Sequence, residues 1–322
     1  MIDIQAYSPW VQYTITVLIF LFSLWHIKPL SRIDIMLVLI LISLGILSYY
    51  SGVFNEFPTN IRAILVPIIF IVVLNSNSYK YLKPLFIYCL FITILEYILY
   101  YSGLGFWRDI TRLGILRPFG GLLGMHSTSL FLAVSLYLFG LPILGGFLAV
   151  LMMNLQTPIA YSVLFLRKKY ILVFLIFSSV IFIALFKVGH LDVNSSVSMM
   201  NSYLEFFNYE YNYCFYIGCA SNVIVIEGVQ QYGIIADNGL VRTSFFFGVP
   251  WLLIYFILIF RNSKSKALPI VYYLTILHYP VAFGIVTSAI IGISINYFNN
   301  ITYFKMSINK KRIGAKIRGV VN

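Results

Sequence analysis

Residues 33–50 read Ile-Asp-Ile-Met-Leu-Val-Leu-Ile-Leu-Ile-Ser-Leu-Gly-Ile-Leu-Ser-Tyr-Tyr, with one charge, Asp34, near the amino-terminal end. A helix that crosses a bilayer needs about 20 mostly apolar residues, and this run approaches that length with no charge in its interior. Comparable runs recur at about 11–27, 61–74, 84–102, 119–139, 141–153, 155–166, 170–187, 239–260, 267–279 and 281–299, eleven in all. Three are short: 141–153 and 155–166, separated around Gln156-Thr157-Pro158, and 267–279. The whole composition agrees: 322 residues, 61% hydrophobic and 10% charged, with a mean hydropathy of +0.92. A soluble domain carries about a quarter of its residues as charges. An ordinary soluble enzyme, a disordered chain and a small disulfide scaffold are excluded. A β-barrel would show short alternating segments instead of long runs. The expected fold class is all-α, a polytopic membrane protein of about eleven transmembrane helices forming one domain over residues 1–322. The first run follows an acidic, Lys-free start, whereas a signal peptide needs a basic n-region, so it reads as a retained span.

The chain has 22 Lys+Arg against 10 Asp+Glu, a formal charge of +12. In a soluble protein this balance would suggest nucleic acid; in a membrane protein it reflects Lys and Arg collecting in cytoplasmic loops. With the amino terminus outside and eleven alternating spans, sixteen basic residues fall inside and six outside. The outside set is Arg62, Arg108, Arg112, Arg117, Lys187 and Arg242. The long external loop then covers about 188–238, and the basic tail, about 303–322, is cytoplasmic and near anionic headgroups. No Walker A motif, dinucleotide fingerprint or H-E-x-x-H motif occurs. A donor substrate is therefore expected to arrive attached to lipid.

The external arginines are the most informative feature. Five of the six outer basic residues are Arg, whereas eleven of the sixteen inner ones are Lys. Arginine offers a planar fork that binds phosphate bidentately, while lysine is a hydrated point charge. Arg108 and Arg112 are four residues apart and share a face if that segment is helical. Each Arg alone is explained by snorkelling or by pairing with Asp109 or Asp237; as a set they favour an anionic ligand. Asp237 or Asn238 can cap the helix that carries Arg242. Glu96 is an intramembrane carboxylate near Tyr97, Tyr100 and Tyr101, suited to pairing with Arg or carrying a proton. His126 and His278 can act as bases near neutral pH or serve as hydrogen-bonded bundle histidines. Cys214 and Cys219, with four residues between them, form either a disulfide in an oxidising compartment or two free thiols. Cys89 lies in a span and is inert in this reading. No cluster has metal-ligand spacing, so no metal is expected. The short pair 141–166 is either an ordinary helical hairpin or a break at membrane depth marking a site.

Several stretches together resemble the oligosaccharide repeat-unit polymerases of bacterial surface polysaccharides, the Wzy-type O-antigen and capsule polymerases, and more distantly the O-antigen ligases. They are Pro-Thr-Asn-Ile-Arg62; Arg117-Pro-Phe-Gly-Gly-Leu-Leu-Gly-Met-His126-Ser-Thr-Ser; the long loop ending in Ala-Asp237-Asn238-Gly-Leu-Val-Arg242, followed by Gly248-Val-Pro; and the short pair ending in Arg167-Lys-Lys. Their order and spacing carry the resemblance across most of the chain. An R-x10-G signature of some members is absent at Arg108, Arg112, Arg117 and Arg242. Ligases place a His near the end of the long loop, where this sequence has Asp237-Asn238, which favours the polymerase.

The resemblance implies a multi-pass protein of the bacterial inner membrane. It would transfer a glycan as a block from undecaprenyl diphosphate to a sugar hydroxyl of the next lipid-linked unit, at the periplasmic face. Such a donor is preactivated, so no nucleotide, metal or other cofactor is implied. Arg62, Arg112, Arg117 and Arg242 would hold the diphosphate. Asp237, Glu96 or His126 would assist the acceptor hydroxyl. The loop tyrosines (Tyr203, Tyr209, Tyr211, Tyr213, Tyr216) would face sugars. The implied partners are the lipid-linked oligosaccharide, membrane lipid and a chain-length regulator, with no nucleic acid. The alternatives are a flippase for the same unit, an O-antigen ligase and a membrane acyltransferase. The first would show two similar halves, and the third a His–acid pair nearer the cytoplasm; His26 and Asp34 are the nearest such residues.

Overall fold

The computed structural model describes residues 4–51, 61–104, 111–112, 115–116, 118, 120, 124–152, 156–165, 213–219, 224–226, 229–231, 239–277 and 283–318. It is mostly helical. In chain order the helices are α1 (Ile4–Trp25), α2 (Arg32–Ser51), α3 (Arg62–Leu74), α4 (Leu82–Tyr101), α5 (Gly124–Leu138), α6 (Pro142–Leu151), α7 (Gln156–Ser162), α8 (Cys214–Ile217), α9 (Gly239–Phe247), α10 (Val249–Asn262), α11 (Ala267–Leu274) and α12 (Ile285–Arg318). Two short antiparallel ladders interrupt the all-helical expectation. Strands β1 (Thr111–Arg112) and β2 (Ile115–Leu116) pair, as do β3 (Ile224–Ile226) and β4 (Val229–Gln231).

Two helical stretches, Arg32–Ser51 and Ser78–Tyr101, are long and apolar enough to cross a membrane. The second is α4 preceded by a 3₁₀ turn at Ser78–Tyr81. Six other apolar helical stretches are 10–17 residues long among the described residues. Proline sets several of these lengths. Pro142 and Pro250 occupy the first turn of α6 and α10, and Pro158 and Pro269 sit at the third positions of α7 and α11. A first turn tolerates the missing N–H, whereas a helix arriving from upstream would lose a bond there. The run 239–260, expected as one span, is divided at Gly248, whose φ of 83° separates α9 from α10.

Helix α3 is the central element and packs against α12, α2 and α1. Small residues permit these close crossings. Gly45 of α2 lies against the backbone of Ala63, and Gly292 of α12 lies against the carbonyl of Phe70 and the amide of Leu74. Pro67 lies inside α3 and cannot donate to the carbonyl of Ala63 four residues back. The Trp251 indole Nε1–H of α10 donates to that carbonyl instead, at 3.0 Å. A backbone group buried away from water is thus satisfied by a neighbouring helix.

The two ends of the bundle differ chemically. At one end the Lys28 amide donates to Asn75 O at 2.8 Å. Asn296 there donates to Ser76 O and Ser78 Oγ, and Asn299 to Asn262 O. Asp34 is tied at this end by Ser31, Arg261 and Asn262, with Arg261 at 2.9 Å. Seven of the eight described Lys and Arg side chains belong here: Lys28, Arg32, Lys80, Lys83, Arg261, Lys264 and Lys266. The eighth, Arg62, lies at the opposite end, where α3 begins.

Helix α4 buries Thr93 and Glu96 and exposes a row of large apolar side chains. Leu85, Cys89, Thr93 and Glu96 are buried, whereas Ile87, Phe91, Ile94 and Ile98 are each at least half exposed. The exposed apolar row would be unfavourable against water and is favourable against hydrocarbon.

The expected pair 141–166 is two short helices folded back on each other. Tyr161 donates to the carbonyl of Pro142 at 2.8 Å, so α7 returns to the level where α6 starts. Phe139, three residues before that start, meets Phe86 and Tyr297 edge to face towards the basic end. The far end of α7 reaches Ser129, whose hydroxyl lies 2.6 Å from that of Thr157. Gly145 lets α6 lie directly on the carbonyl of Ala133 and the ring of Tyr161. Ten helical residues rise only about 15 Å, about half of a hydrocarbon core of about 30 Å.

Candidate functional site

The end opposite the lysines gathers most of the sequence-derived candidates that the structure describes. Arg62 opens the central helix, after Ile61, which supplies no side-chain cap. Its side chain is half-buried, and among the described residues it has no ion-pair or hydrogen-bond partner. A guanidinium in that setting, with no carboxylate beside it among the described residues, suits an anion.

Next to Arg62, Ala63 is bonded to Trp251 in the first turn of α10. Trp251 stacks on Phe247, the last residue of α9, with centroids 4.3 Å apart. The helix that carries Arg242 is therefore joined at its end to the start of the helix that carries Arg62. The joint is reinforced by the cysteine turn. Cys214 and Cys219 are disulfide-bonded, which resolves the alternative left open by the sequence. The turn they close inserts at the α9–α10 break: the Cys219 amide donates to Phe245 O at 2.9 Å, and the Ser48 hydroxyl of α2 donates to Phe246 O at 2.9 Å. Gly218 (φ 81°) and Gly248 (φ 83°) face each other across this contact, and a Cβ on either would fall within 3.0 Å of backbone atoms. Both the dihedrals and the space demand glycine.

A second cluster lies around Glu96. Its carboxylate is fully buried and accepts the backbone N–H of Gly120 at 3.0 Å. Gly120 itself has a φ of 62°, and a Cβ there would strike Thr128 and approach Thr93 Oγ1. Leu116, Pro118 and Gly120 are all buried, at alternate positions of the segment that leads into α5. Thr93, Glu96, Gly120 and Thr128 thus form one polar contact set between α4, that segment and α5. Ser129, beside Thr128, continues it to Thr157 at the break of the short pair.

The remaining candidates fall as follows. Arg112 lies in strand β1, paired with Ile115, so the helical condition for its sharing a face with Arg108 is not met at Arg112. Arg108 lies outside the described residues. His126 lies in the first turn of α5 and Arg242 in the second turn of α9; for both, and for Arg112, the backbone alone is described. Arg117, Asp237, Asn238 and His278 lie outside the described residues, as do Tyr203, Tyr209 and Tyr211. Cys89 is buried. Sequence reasoning singled out Gly248 as part of a motif but not its contact with Gly218; a glycine immediately before the second of two closely spaced cysteines was the available signal.

No protein-family model, curated protein or solved structure matches the chain. The site is therefore read from its own chemistry.

Proposed function

We propose that the protein is a multi-pass inner-membrane polymerase that joins lipid-linked oligosaccharide units into a surface polysaccharide. The observation that carries this reading is Arg62: a half-buried guanidinium without a described acidic partner, at the end of the bundle opposite the lysines. An apolar chain that exposes many large apolar side chains, with seven described basic side chains at one end, supports membrane insertion with that end cytoplasmic. The expected multi-pass topology belongs to this proposal, with the pair 141–166 as a hairpin that enters from the cytoplasmic side and returns to it without crossing.

In the proposed reaction a sugar hydroxyl of the acceptor attacks the anomeric carbon of the donor glycan. One glycosidic bond forms, the sugar–phosphate bond breaks, and undecaprenyl diphosphate leaves with the bonding electron pair. The hydroxyl proton passes to a base or to the released diphosphate. Arg62, Arg112, Arg117 and Arg242 are assigned to the diphosphate, where charge-assisted hydrogen bonds stabilise the developing negative charge. Asp237 and His126 are the candidate bases.

The test uses purified protein in liposomes with a synthetic undecaprenyl-diphosphate-linked repeat unit. Wild type yields lipid-linked dimers and longer products with release of undecaprenyl diphosphate. Loss of one charge-assisted contact to a phosphate is worth about 1.5–3 kcal/mol, so Arg62→Ala is expected to slow transfer by roughly 10- to 100-fold, with Arg62→Lys in between. Wild-type transfer that persists undiminished in Arg62→Ala removes the diphosphate role from Arg62.

A further inference from the structure

The run 33–50 is apolar on more than one side of α2, as expected of a helix set in a core or a membrane. Its inner stripe, Leu37, Leu41 and Gly45, is buried, and α2 packs against α3 and α10. The opposite stripe is exposed and carries a groove of about 550 Å³. The groove runs from Arg32 to Leu47, with Met36, Leu39, Ile40 and Ser43 between them. The Ser43 hydroxyl donates to Leu39 O of its own helix at 3.0 Å, so it leaves no unpaired donor in an otherwise apolar channel. Arg32 closes the groove at the basic end of the bundle. Its side chain is exposed and has no ion-pair or hydrogen-bond partner among the described residues. Asp34, two residues on, is buried and bonded instead to Arg261, Asn262 and Ser31. Of the two arginines here, Arg261 is thus neutralised within the protein and Arg32 is not.

We propose that this groove binds an anionic phospholipid of the leaflet at the basic end, with the headgroup phosphate on Arg32 and one acyl chain along Met36 to Leu47. The dimensions agree. Arg32 and Leu47 are about 22 Å apart along the helix at 1.5 Å per residue, and one leaflet supplies about half of a hydrocarbon core of about 30 Å. The apolar channel therefore runs the depth of a leaflet, with its cation at headgroup level. Trp25, which ends α1, and Lys28 are both exposed at this same end. Tryptophan and basic residues gather at that level of a bilayer. A phosphodiester accepts two parallel N–H bonds from a guanidinium. A headgroup with no cation of its own leaves that charge for the protein to neutralise. The volume lies within the range of small-molecule sites, about 300–1,000 Å³. The leaflet assignment rests on the orientation in the proposed function. The binding needs no glycan chemistry, so its failure and the failure of the polymerase reading are separate results.

The experiment titrates the purified full-length protein, in a neutral detergent, with phosphatidylglycerol or phosphatidylcholine of the same acyl chains. Native mass spectrometry counts the lipids bound and gives the affinity of the first. Wild type is expected to bind one phosphatidylglycerol about fivefold more tightly than phosphatidylcholine, since a basic side chain beside an anionic headgroup is worth about 1 kcal/mol. Arg32→Ala should bind the two lipids equally. Lys80→Ala is the matched control: it removes an exposed charge at the same end but outside the groove, and should keep the wild-type preference. Ser43→Trp fills the channel while keeping Arg32, and should weaken the binding of both lipids. Equal affinity of wild type for the two lipids overturns the site. A preference that survives in Arg32→Ala overturns it as well. A preference lost as fully in Lys80→Ala as in Arg32→Ala means attraction spread over the whole basic end, and overturns a site at Arg32. Undiminished phosphatidylglycerol binding by Ser43→Trp overturns the placement of the chain in the groove.

Discussion

Gly248→Ala puts a methyl group into the contact between the α9–α10 break and the disulfide-closed turn. The new Cβ would lie 2.9 Å from Gly218 N, Ile217 C and Tyr216 O, all backbone atoms that no rotamer change can move aside. Carbon contacts are comfortable at about 3.5–4.0 Å, so the turn must retreat by roughly half an ångström or more. The φ of 83° with ψ of 144° is a region that only glycine occupies freely, costing about 1–3 kcal/mol for alanine. Retreat of the turn also weakens the bonds from the Cys219 amide to Phe245 O and from Ser48 to Phe246 O, both 2.9 Å. Each contributes about 0.5–1.5 kcal/mol net. The sum is about 2–6 kcal/mol. Gly140→Ala is the matched control: its φ is 86°, but nothing lies within 4 Å of the added Cβ. It should show the conformational cost alone, about 1–3 kcal/mol. The assay is reversible denaturant unfolding of both variants in the same detergent, read by circular dichroism. Equal destabilisation by the two variants would refute the claim that the turn braces the break.

Three further outcomes follow from the packing. Trp251→Phe leaves the Ala63 carbonyl without its donor and should cost about 1–3 kcal/mol; in a Pro67→Ala background, where the helix can supply its own N–H, the same change should cost measurably less in a double-mutant cycle. Thiol labelling of the denatured, unreduced protein should modify one cysteine, Cys89, and three after reduction; labelling of three before reduction contradicts the disulfide. Cys214→Ser with Cys219→Ser should lower stability by about 2 kcal/mol through loss of a short closed loop, and should add little to the destabilisation of Gly248→Ala, because both act on one joint.

The apolar runs were legible because membrane-length helices need little beyond a continuous stretch of Leu, Ile, Val and Phe. Runs 33–50 and 84–102 correspond to α2 and α4 within two residues at each end. Hydropathy alone could not show where a run breaks. Phe245-Phe246-Phe247-Gly248-Val249-Pro250 is apolar throughout, yet the backbone turns at Gly248 because the disulfide turn fills the space beside it. The short pair 141–166 was noticed through Pro158, but its folding back depends on Tyr161 reaching Pro142, a contact between residues 19 apart. Among site residues, Arg62 was legible as an arginine at the wrong end for charge sorting. Glu96 was legible as an intramembrane carboxylate. Its partner was not, because a backbone N–H carries no signature in the sequence. The four-residue spacing of Arg108 and Arg112 is informative only where the backbone is helical, and Arg112 is in a strand.

The most direct measurement is the size distribution of surface glycan from a bacterium in which the gene for this protein has been deleted, with and without complementation by the wild-type and Arg62→Ala genes. The account predicts that deletion collapses the ladder to the anchor bearing a single repeat unit. The wild-type gene should restore the full ladder and the Arg62→Ala gene restore little of it. An anchor with no repeat unit at all, with lipid-linked units accumulating inside the cell, would contradict the polymerase and point to a transporter; a ladder unchanged by deletion would contradict both.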